Sequence, residues 1–130
     1  MIPEEKHDLV KYRITKARET FNEVNVLIEH GFWNTAVNRI YYSCFYAVIA
    51  LLLDNGIETK THASARQMFG LHFINTNIIE QELGRFYSRI FNMRQTGDYD
   101  DLIDFDRQKV LELLEPSDKL ISQIEILLTH

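Results

Sequence analysis

The sequence predicts an all-helical fold, an up-and-down antiparallel bundle of four long helices and a shorter one. First, apolar residues recur at alternating steps of four and three through most of the chain, as they do on the buried face of a helix. Second, only two prolines and five glycines interrupt the 130 residues, which favours long helices over short strands joined by turns. Third, the links between the amphipathic segments are short, so consecutive helices are expected to run antiparallel.

Length and composition predict a single domain, residues 1–130. A chain of this length buries a sizeable core without a metal or disulfides. Hydrophobic residues make up 45% and charged residues 25%, values typical of globular proteins and not of disordered or fibrous ones. The net charge of -5 argues against nucleic-acid binding by the whole surface, although it leaves room for a local basic cleft.

The sequence also predicts a cytoplasmic protein that contacts no membrane. The lone Cys44 lies in an apolar stretch and has no partner for an internal disulfide, as expected of a buried residue in a reducing compartment. The N-terminal segment 1–13 is charged and lacks the apolar region of a secretory signal. The longest apolar stretch, Ile40 to Leu53, is shorter than the roughly 20 residues that span a bilayer.

Helical periodicity predicts the first two helices and their ends. The first carries one apolar stripe, formed by Val10, Ile14, Ala17, Phe21, Val24 and Ile28. Gly31 suits its C-terminal end, because glycine readily adopts the left-handed conformation that closes many helices. The second helix, in TAVNRIYYSCFYAVIALLLDNG, is apolar on most of its circumference, as expected of a central helix, and Asn55 and Gly56 close it.

Capping residues predict the third and fourth helices. Thr61 caps a short third helix with apolar positions at Ala65, Met68 and Phe69. Asn77, followed three residues later by Glu80, resembles a capping pair for the fourth helix. The inward positions of the fourth helix are Ile79, Leu83, Phe86 and Ile90. Gly97 is expected to end it, and Asp98 or Asp101 to cap the segment that follows.

The fifth helix contains a proline. Its apolar positions are Val110, Leu114, Ile121, Ile124 and Leu128. Their common helical phase continues across Pro116, which predicts one kinked helix and not two separate ones. Apolar surface left over on the second and fourth helices predicts a homodimer with a twofold axis.

Most metal and nucleophile chemistry is not supported by the residue spacing. A di-metal bundle needs Glu-x-x-His on two helices, and the chain has this spacing once, at Glu4 and His7. His62 and His72 are separated by about 15 Å of helical rise, too far to share one ion. We find no Gly-x-Ser-x-Gly turn and no Gly-rich phosphate loop, and we expect neither a metal nor a cofactor.

Two polar groups interrupt the apolar pattern instead. Arg39, Tyr42 and Tyr46 follow one another at helical spacing on the second helix. A mostly buried arginine there needs a carboxylate, for which Asp98 and Asp100 are the candidates.

On the fourth helix, Arg94 follows Ile90 by one turn and extends the inward face. Two interpretations of the segment RQTGDYDD at 94–101 stay open. The aspartates either pair with Arg39 or Arg94 as a structural network, or they close a pocket in which Arg94 holds a phosphate and Asp98 or Tyr99 orients it. His62 could join such a pocket as an acid or base.

Three strings, AVNRIYYSCFYAVIALLL, TKTHASARQMFGLHF and LGRFYSRIFNMRQTGDYDD, occur in an order that resembles the HEPN superfamily, in particular its small stand-alone prokaryotic branch. The resemblance runs from about residue 8 to 128. It implies a dimeric helical bundle, often encoded beside a minimal nucleotidyltransferase with which it forms a toxin and antitoxin pair.

Many active HEPN members are metal-independent ribonucleases with a signature arginine, a polar residue after it, and a histidine a few positions later. Arg94 and Gln95 match its start, but Tyr99, Asp100 and Asp101 occupy the positions for the histidine. The resemblance therefore implies that the usual general acid or base is missing, since a tyrosine is a poor proton carrier at neutral pH. The tyrosine that accepts AMP in some family pairs corresponds to Asp101, with Tyr99 nearest.

Three functional hypotheses follow. The favoured one is a non-catalytic dimer that binds a nucleotidyltransferase, a nucleotide or RNA through a polar pocket. The residues of this pocket are Arg39, Tyr42, Tyr46, Arg94, Asp98, Tyr99 and Asp100. The second hypothesis is a ribonuclease toxin whose rewired catalytic residues are Arg94 and His62. In the third, the polar cluster only holds the bundle together and a partner binds elsewhere.

Overall fold

The computed structural model describes residues 2–99 and 104–128, with the backbone alone for 97–99. All regular structure in these two ranges is helical, so the prediction of an all-α bundle is confirmed. The helices are α1 (Pro3–Glu29), α2 (Trp33–Asp54), α3 (His62–Phe69), α4 (Gln81–Tyr99) and α5 (Arg107–Leu127). A π-helical segment, Gly70–Ile74, continues α3.

Helix α2 is the centre of the bundle, because it packs against α1, α3, α4 and α5. Its buried side chains face all of these neighbours, in agreement with the apolar circumference noted in the sequence. By length and composition α2 would also pass for a membrane-spanning helix, but 67% of its most apolar window is buried inside the bundle. It is therefore packed as a core helix.

The ends of the first two helices confirm the glycine predictions. Helix α1 ends at Glu29 and Gly31 follows with a φ of +72°. Helix α2 ends at Asp54, and Gly56 has a φ of +75°. These left-handed conformations turn the chain sharply and leave only short links between α1, α2 and α3.

Thr61 caps α3 as predicted, and Ser64 completes the cap. The Thr61 Oγ1 accepts a hydrogen bond from the Ser64 backbone N–H at 3.0 Å, and the Ser64 Oγ accepts one from the Thr61 N–H at 3.1 Å. This reciprocal cap satisfies two backbone donors that the first turn would otherwise leave unpaired. It also holds His62, the first residue of α3, in a defined position.

The prediction that Asn77 and Glu80 form a capping pair is wrong. Asn77 has a φ of +61°, a left-handed conformation that asparagine tolerates better than most residues, and it belongs to the turn that precedes α4. Its Oδ1 accepts a hydrogen bond from Gln81 Nε2 at 3.1 Å, while Glu80 pairs with Lys119 at 3.0 Å.

The prediction that Gly97 ends α4 is also wrong. Helix α4 continues past Gly97 to Tyr99, so Gly97 and Asp98 both lie inside it. A glycine within a helix costs roughly 1 kcal/mol, which the packing of the rest of the helix can offset. Asp106, and not Asp98, caps α5, since its Oδ1 accepts from the Lys109 N–H at 2.9 Å. Asp101 lies outside the described residues.

Helix α5 passes through Pro116 as a single element, as the unbroken apolar phase predicts. Apolar side chains stay partly exposed on α2, where Phe45, Tyr46 and Ile49 are half-buried. Within the described ranges, the large exposed apolar side chains lie on α1, on α5 and next to the helix ends, and they include Tyr12, Ile126, Phe32 and Ile78. The homodimer stays a prediction.

Candidate functional site

Two consecutive tyrosines of α2, Tyr41 and Tyr42, form the centre of the candidate site. Tyr41 is fully buried, whereas Tyr42 is half-buried at the edge of the bundle. Their rings meet edge to face with centroids 5.3 Å apart. Because consecutive residues of a helix point about 100° apart, one ring belongs to the core and the other borders the surface.

Arg94, in the second half of α4, is held over both rings. Its guanidinium carbon lies 5.5 Å from the ring centroid of Tyr41 and 5.5 Å from that of Tyr42. Its Nη2 also donates a hydrogen bond to the Tyr42 hydroxyl at 3.2 Å. A cation over an aromatic face is stabilised by roughly 0.5 to 2 kcal/mol, more as water is excluded. The tyrosine pair therefore orients the Arg94 side chain.

A second arginine approaches Tyr42 from its own helix. The guanidinium carbon of Arg39 lies 5.1 Å from the Tyr42 ring centroid. The Arg39 Nε is buried and has no hydrogen-bond acceptor in the ranges 2–96 and 104–128, whose side chains are described. The carboxylates expected to pair with it, those of Asp98 and Asp100, lie outside the described side chains.

His62 enters the site from the start of α3. Its Nδ1 lies 2.7 Å from the Tyr41 hydroxyl, and its ring stacks on Phe45 with centroids 4.2 Å apart. Burial lowers the pKa of His62, and the nearby positive charge of Arg94 lowers it further. His62 is therefore neutral at pH 7, with Nδ1 engaged by Tyr41 and Nε2 left as the nitrogen for another contact.

Burial also keeps Tyr41 protonated. It raises the pKa of the Tyr41 hydroxyl to about 12, although the neighbouring Tyr87 hydroxyl and the charge of Arg94 act in the opposite direction. The hydroxyl thus stays a hydrogen-bond partner for His62 over the whole physiological range and does not serve as a base. Tyr41 acts as a support that joins the core to His62 and Arg94.

We call Arg39, Tyr41, Tyr42, His62 and Arg94 the tyrosine–arginine cluster. The structure brings together all the predicted site residues whose side chains it describes, including Tyr46, whose ring lies 6.0 Å from that of Tyr42. The structure does not describe the side chains of Asp98 and Tyr99 or any part of Asp100.

The sequence interpretation missed four aromatic residues that build this site. They are Tyr41, Phe45, Tyr87 and Phe91. Three of them are buried and Phe45 is half-buried, so in the sequence they resemble ordinary core positions. The adjacent tyrosines in the second helix are the one signal that could have pointed to Tyr41.

The cluster offers anion binding and proton transfer. Guanidinium groups bind phosphate or carboxylate oxygens through several parallel N–H donors, and the neutral His62 is able to take up a proton. In the part of the chain that the structure describes, no three His, Cys, Asp or Glu side chains lie close enough together to hold a metal ion. The cluster residues themselves are of the wrong type for a hard cation, since they supply cations and phenols instead of carboxylates.

The family model for the HEPN domain matches residues 10–127. The chain belongs to the HEPN domain family. This confirms the resemblance carried by the three sequence strings. The crystal structure of TT1696 from Thermus thermophilus superposes on this HEPN fold with a TM-score of 0.77, covering 90% of this chain and 96% of that one. At 14% identity, that likeness shows the shared fold.

Three relatives are similar in sequence to this chain. It is 36% identical to a UPF0332 protein of Thermotoga maritima over 95% of this chain and 94% of the relative. It is 39% identical to "Putative toxin MJ0142" of Methanocaldococcus jannaschii over 84% of this chain and 74% of the relative. "Putative toxin MJ0605" of the same organism is 37% identical over 64% of this chain and 62% of the relative.

Proposed function

We propose that this HEPN protein is the toxin-type member of a toxin and antitoxin pair, and that it binds RNA in the cytoplasm through the tyrosine–arginine cluster. One observation carries the proposal: Arg39 of α2 and Arg94 of α4 both approach the ring of Tyr42, next to the neutral His62 of α3. Three helices thus direct hydrogen-bond donors and a titratable ring to one place at the edge of the bundle.

A phosphate group suits these donors. Arg39 supplies a buried Nε–H that has no acceptor among the described side chains, and a buried donor of this kind costs roughly 1 to 3 kcal/mol until something accepts from it. Phosphate oxygens accept from arginine through short, charge-assisted hydrogen bonds. The half-buried rings of Tyr42 and Tyr46 offer faces on which an unstacked base can pack, the usual way in which proteins hold single-stranded RNA.

The partners that we propose are a second copy of this chain and a minimal nucleotidyltransferase. Both come from the family resemblance, in which HEPN dimers pair with such an enzyme as toxin and antitoxin. The similarity to two proteins named as putative toxins supports the toxin side of this assignment. Binding of the nucleotidyltransferase over the tyrosine–arginine cluster would exclude RNA from it.

RNA binding is tested with the purified full-length chain and a short fluorescent single-stranded RNA. Replacing Arg39 or Arg94 by glutamine should weaken binding roughly 10- to 100-fold, since a hydrogen bond to a charged group contributes about 1.5 to 3 kcal/mol. Arg107→Gln is the matched control, because it removes one positive charge from an exposed position on α5. Equal affinities for the three variants would contradict the proposal.

A second candidate function, metal-independent RNA cleavage, is favoured by the position of His62. With Nδ1–H donating to Tyr41, the His62 Nε2 accepts the proton of a ribose 2′-hydroxyl whose oxygen attacks phosphorus. The bond from phosphorus to the 5′-oxygen then breaks, and that oxygen takes a proton from solvent. Arg94 would stabilise the charge on the phosphate during this step.

The two candidates differ in what happens to the RNA after it binds. Incubation of cellular RNA with the EDTA-treated protein should produce cleavage that disappears in both His62→Gln and Arg94→Gln and persists in Arg107→Gln. Intact RNA with the wild-type protein would rule out the second candidate and leave the binding function. Cleavage that survives both substitutions would place the nuclease activity elsewhere, or in a contaminant.

A further inference from the structure

A groove of about 730 Å³ lies beside the tyrosine–arginine cluster. Helix α3 and the π-helical segment form one side of it, and the outer face of α4 forms the other. Phe69 and Ile74 contribute to its apolar floor, and Arg66, Arg85 and Arg89 line it with positive charge. Its volume falls within the range of roughly 300 to 1,000 Å³ that is usual for ligand sites. Among the described residues that line it, none belongs to the tyrosine–arginine cluster.

The charge of this groove is opposite to that of the whole chain. The protein has a net charge of -5, yet all the charged residues lining the groove are arginines, as far as the structure describes it. Arg89 lies 3.7 Å from Glu112, but both side chains are about half exposed, and such surface pairs contribute little. Ser88, Asn92 and Thr96 add neutral hydrogen-bonding groups along the same wall. The groove therefore suits a polyanion.

Arg66 connects the groove to the tyrosine–arginine cluster. It lies one turn after His62 on α3, and its guanidinium carbon is 4.3 Å from the ring centroid of Phe91. Phe91 in turn packs edge to face against Tyr41, with centroids 6.1 Å apart. On α3, Arg66 thus lies between His62 of the cluster and the groove that it lines.

We infer that this groove binds a single-stranded RNA segment next to the phosphate held by the tyrosine–arginine cluster, with successive phosphates following Arg66, Arg85 and Arg89. The inference rests on the proposed function. Arg85 and Arg89 are one turn apart on α4, about 6 Å along the axis, a spread that suits a chain of phosphates better than a single one. A basic groove that follows the backbone is the usual solution for single strands.

The test is the salt dependence of RNA binding, measured by fluorescence anisotropy of the full-length chain with a short single-stranded RNA. The double variant Arg85→Gln/Arg89→Gln should bind at least about 10-fold more weakly than wild type. The double variant should also make the negative slope of log K against log salt less steep by about 1.4. Each lost phosphate contact removes about 0.7 from its steepness for a single strand. Both side chains are exposed, so the fold should be preserved.

The matched control is Lys11→Gln/Lys16→Gln, which removes the same charge from α1, outside the groove. An unchanged salt slope in the groove variant, or a loss of affinity equal to that of the control, overturns the inference. Arg94→Gln separates this result from the proposed function. If Arg94→Gln binds RNA weakly and Arg85→Gln/Arg89→Gln binds it normally, only the tyrosine–arginine cluster binds RNA. If Arg94→Gln binds normally and the double variant binds weakly, only the groove does.

The same variants also test two other classes of ligand for the groove, mononucleotides and acidic peptides. AMP and a polyglutamate peptide are tested as competitors of the labelled RNA. Competition that depends on Arg85 and Arg89 at concentrations similar to those of RNA would make the groove a site for mononucleotides or acidic peptides, and would overturn RNA as its occupant. Displacement only at far higher concentrations supports the RNA path.

Discussion

Two arginines of this protein, Arg18 and Arg39, are both half-buried and differ in what surrounds them. Arg18 of α1 contacts Asp118 and Glu125 of α5, each at 2.6 Å, and donates to Ser122 at 3.1 Å. Burial by itself would lower the Arg18 pKa, but these carboxylates outweigh it and the pKa is raised. Arg39 instead lies against the ring of Tyr42, and its Nε has no acceptor among the described side chains.

The difference distinguishes an arginine that ties helices together from one that we propose binds a ligand. Two carboxylates and a hydroxyl accept from three of the five N–H donors of Arg18, and these bonds fix α1 to α5. The Tyr42 ring attracts the charge of the Arg39 guanidinium from above its face. It does not accept hydrogen bonds from the N–H groups, which lie in the plane of the guanidinium. In the proposed RNA complex, an Arg39 guanidinium already held by the Tyr42 ring would lower the ordering cost of binding.

The largest expected effect comes from removing the ring on which the cluster is built. Tyr41→Ala should lower the free energy of unfolding by about 3 to 5 kcal/mol, since it empties a fully buried aromatic site. Tyr41→Phe, the control, keeps the ring and loses the hydrogen bond to His62, so it should cost only about 1 kcal/mol. Urea denaturation measures both. Equal losses would mean that the hydroxyl, and not the packed ring, supports the cluster.

Exchanging the two arginines for glutamine breaks the comparison directly. Arg18→Gln should lower the free energy of unfolding by about 1 kcal/mol, a value limited by the partial exposure of Asp118 and Glu125 to solvent. Arg39→Gln should leave stability nearly unchanged and weaken RNA binding, because no described carboxylate loses a partner. Thermal unfolding and RNA anisotropy on the same samples separate the effects. A larger stability loss for Arg39→Gln than for Arg18→Gln would make the cluster structural.

The smallest expected effect concerns pH. Because burial and then Arg94 lower the pKa of His62, the unfolded chain binds a proton at this residue more readily than the folded one. Stability should therefore be constant above the ordinary histidine pKa of about 6.5 and fall as the pH drops from there toward the lowered value. His62→Gln should flatten this part of the stability profile, whereas exposed His72→Gln serves as the control. An unaltered profile in His62→Gln would contradict the neutral state of His62.

Local signals predicted much of the fold, and they failed where one residue had two possible roles. Thr61 has a single role before an apolar run, and it caps α3. Asn77 suits a helix cap and also a left-handed turn, and its neighbours placed it in the turn. Gly97 suits a helix end, but the packing of α4 carried the helix beyond it. Propensities of about 1 kcal/mol are smaller than the packing energy of a long amphipathic helix.

The sequence by itself determined the helices, most of their ends, the family, and the presence of Arg39, Tyr42, His62 and Arg94 as residues outside the apolar pattern. Only the tertiary structure decided that these residues meet. Helix α2 is apolar around its circumference, so its sequence carries no signal for which aromatic ring faces α3 and which faces α4. Tyr41 acquires its role only when neighbouring helices bring His62 to its hydroxyl and Arg94 to its ring.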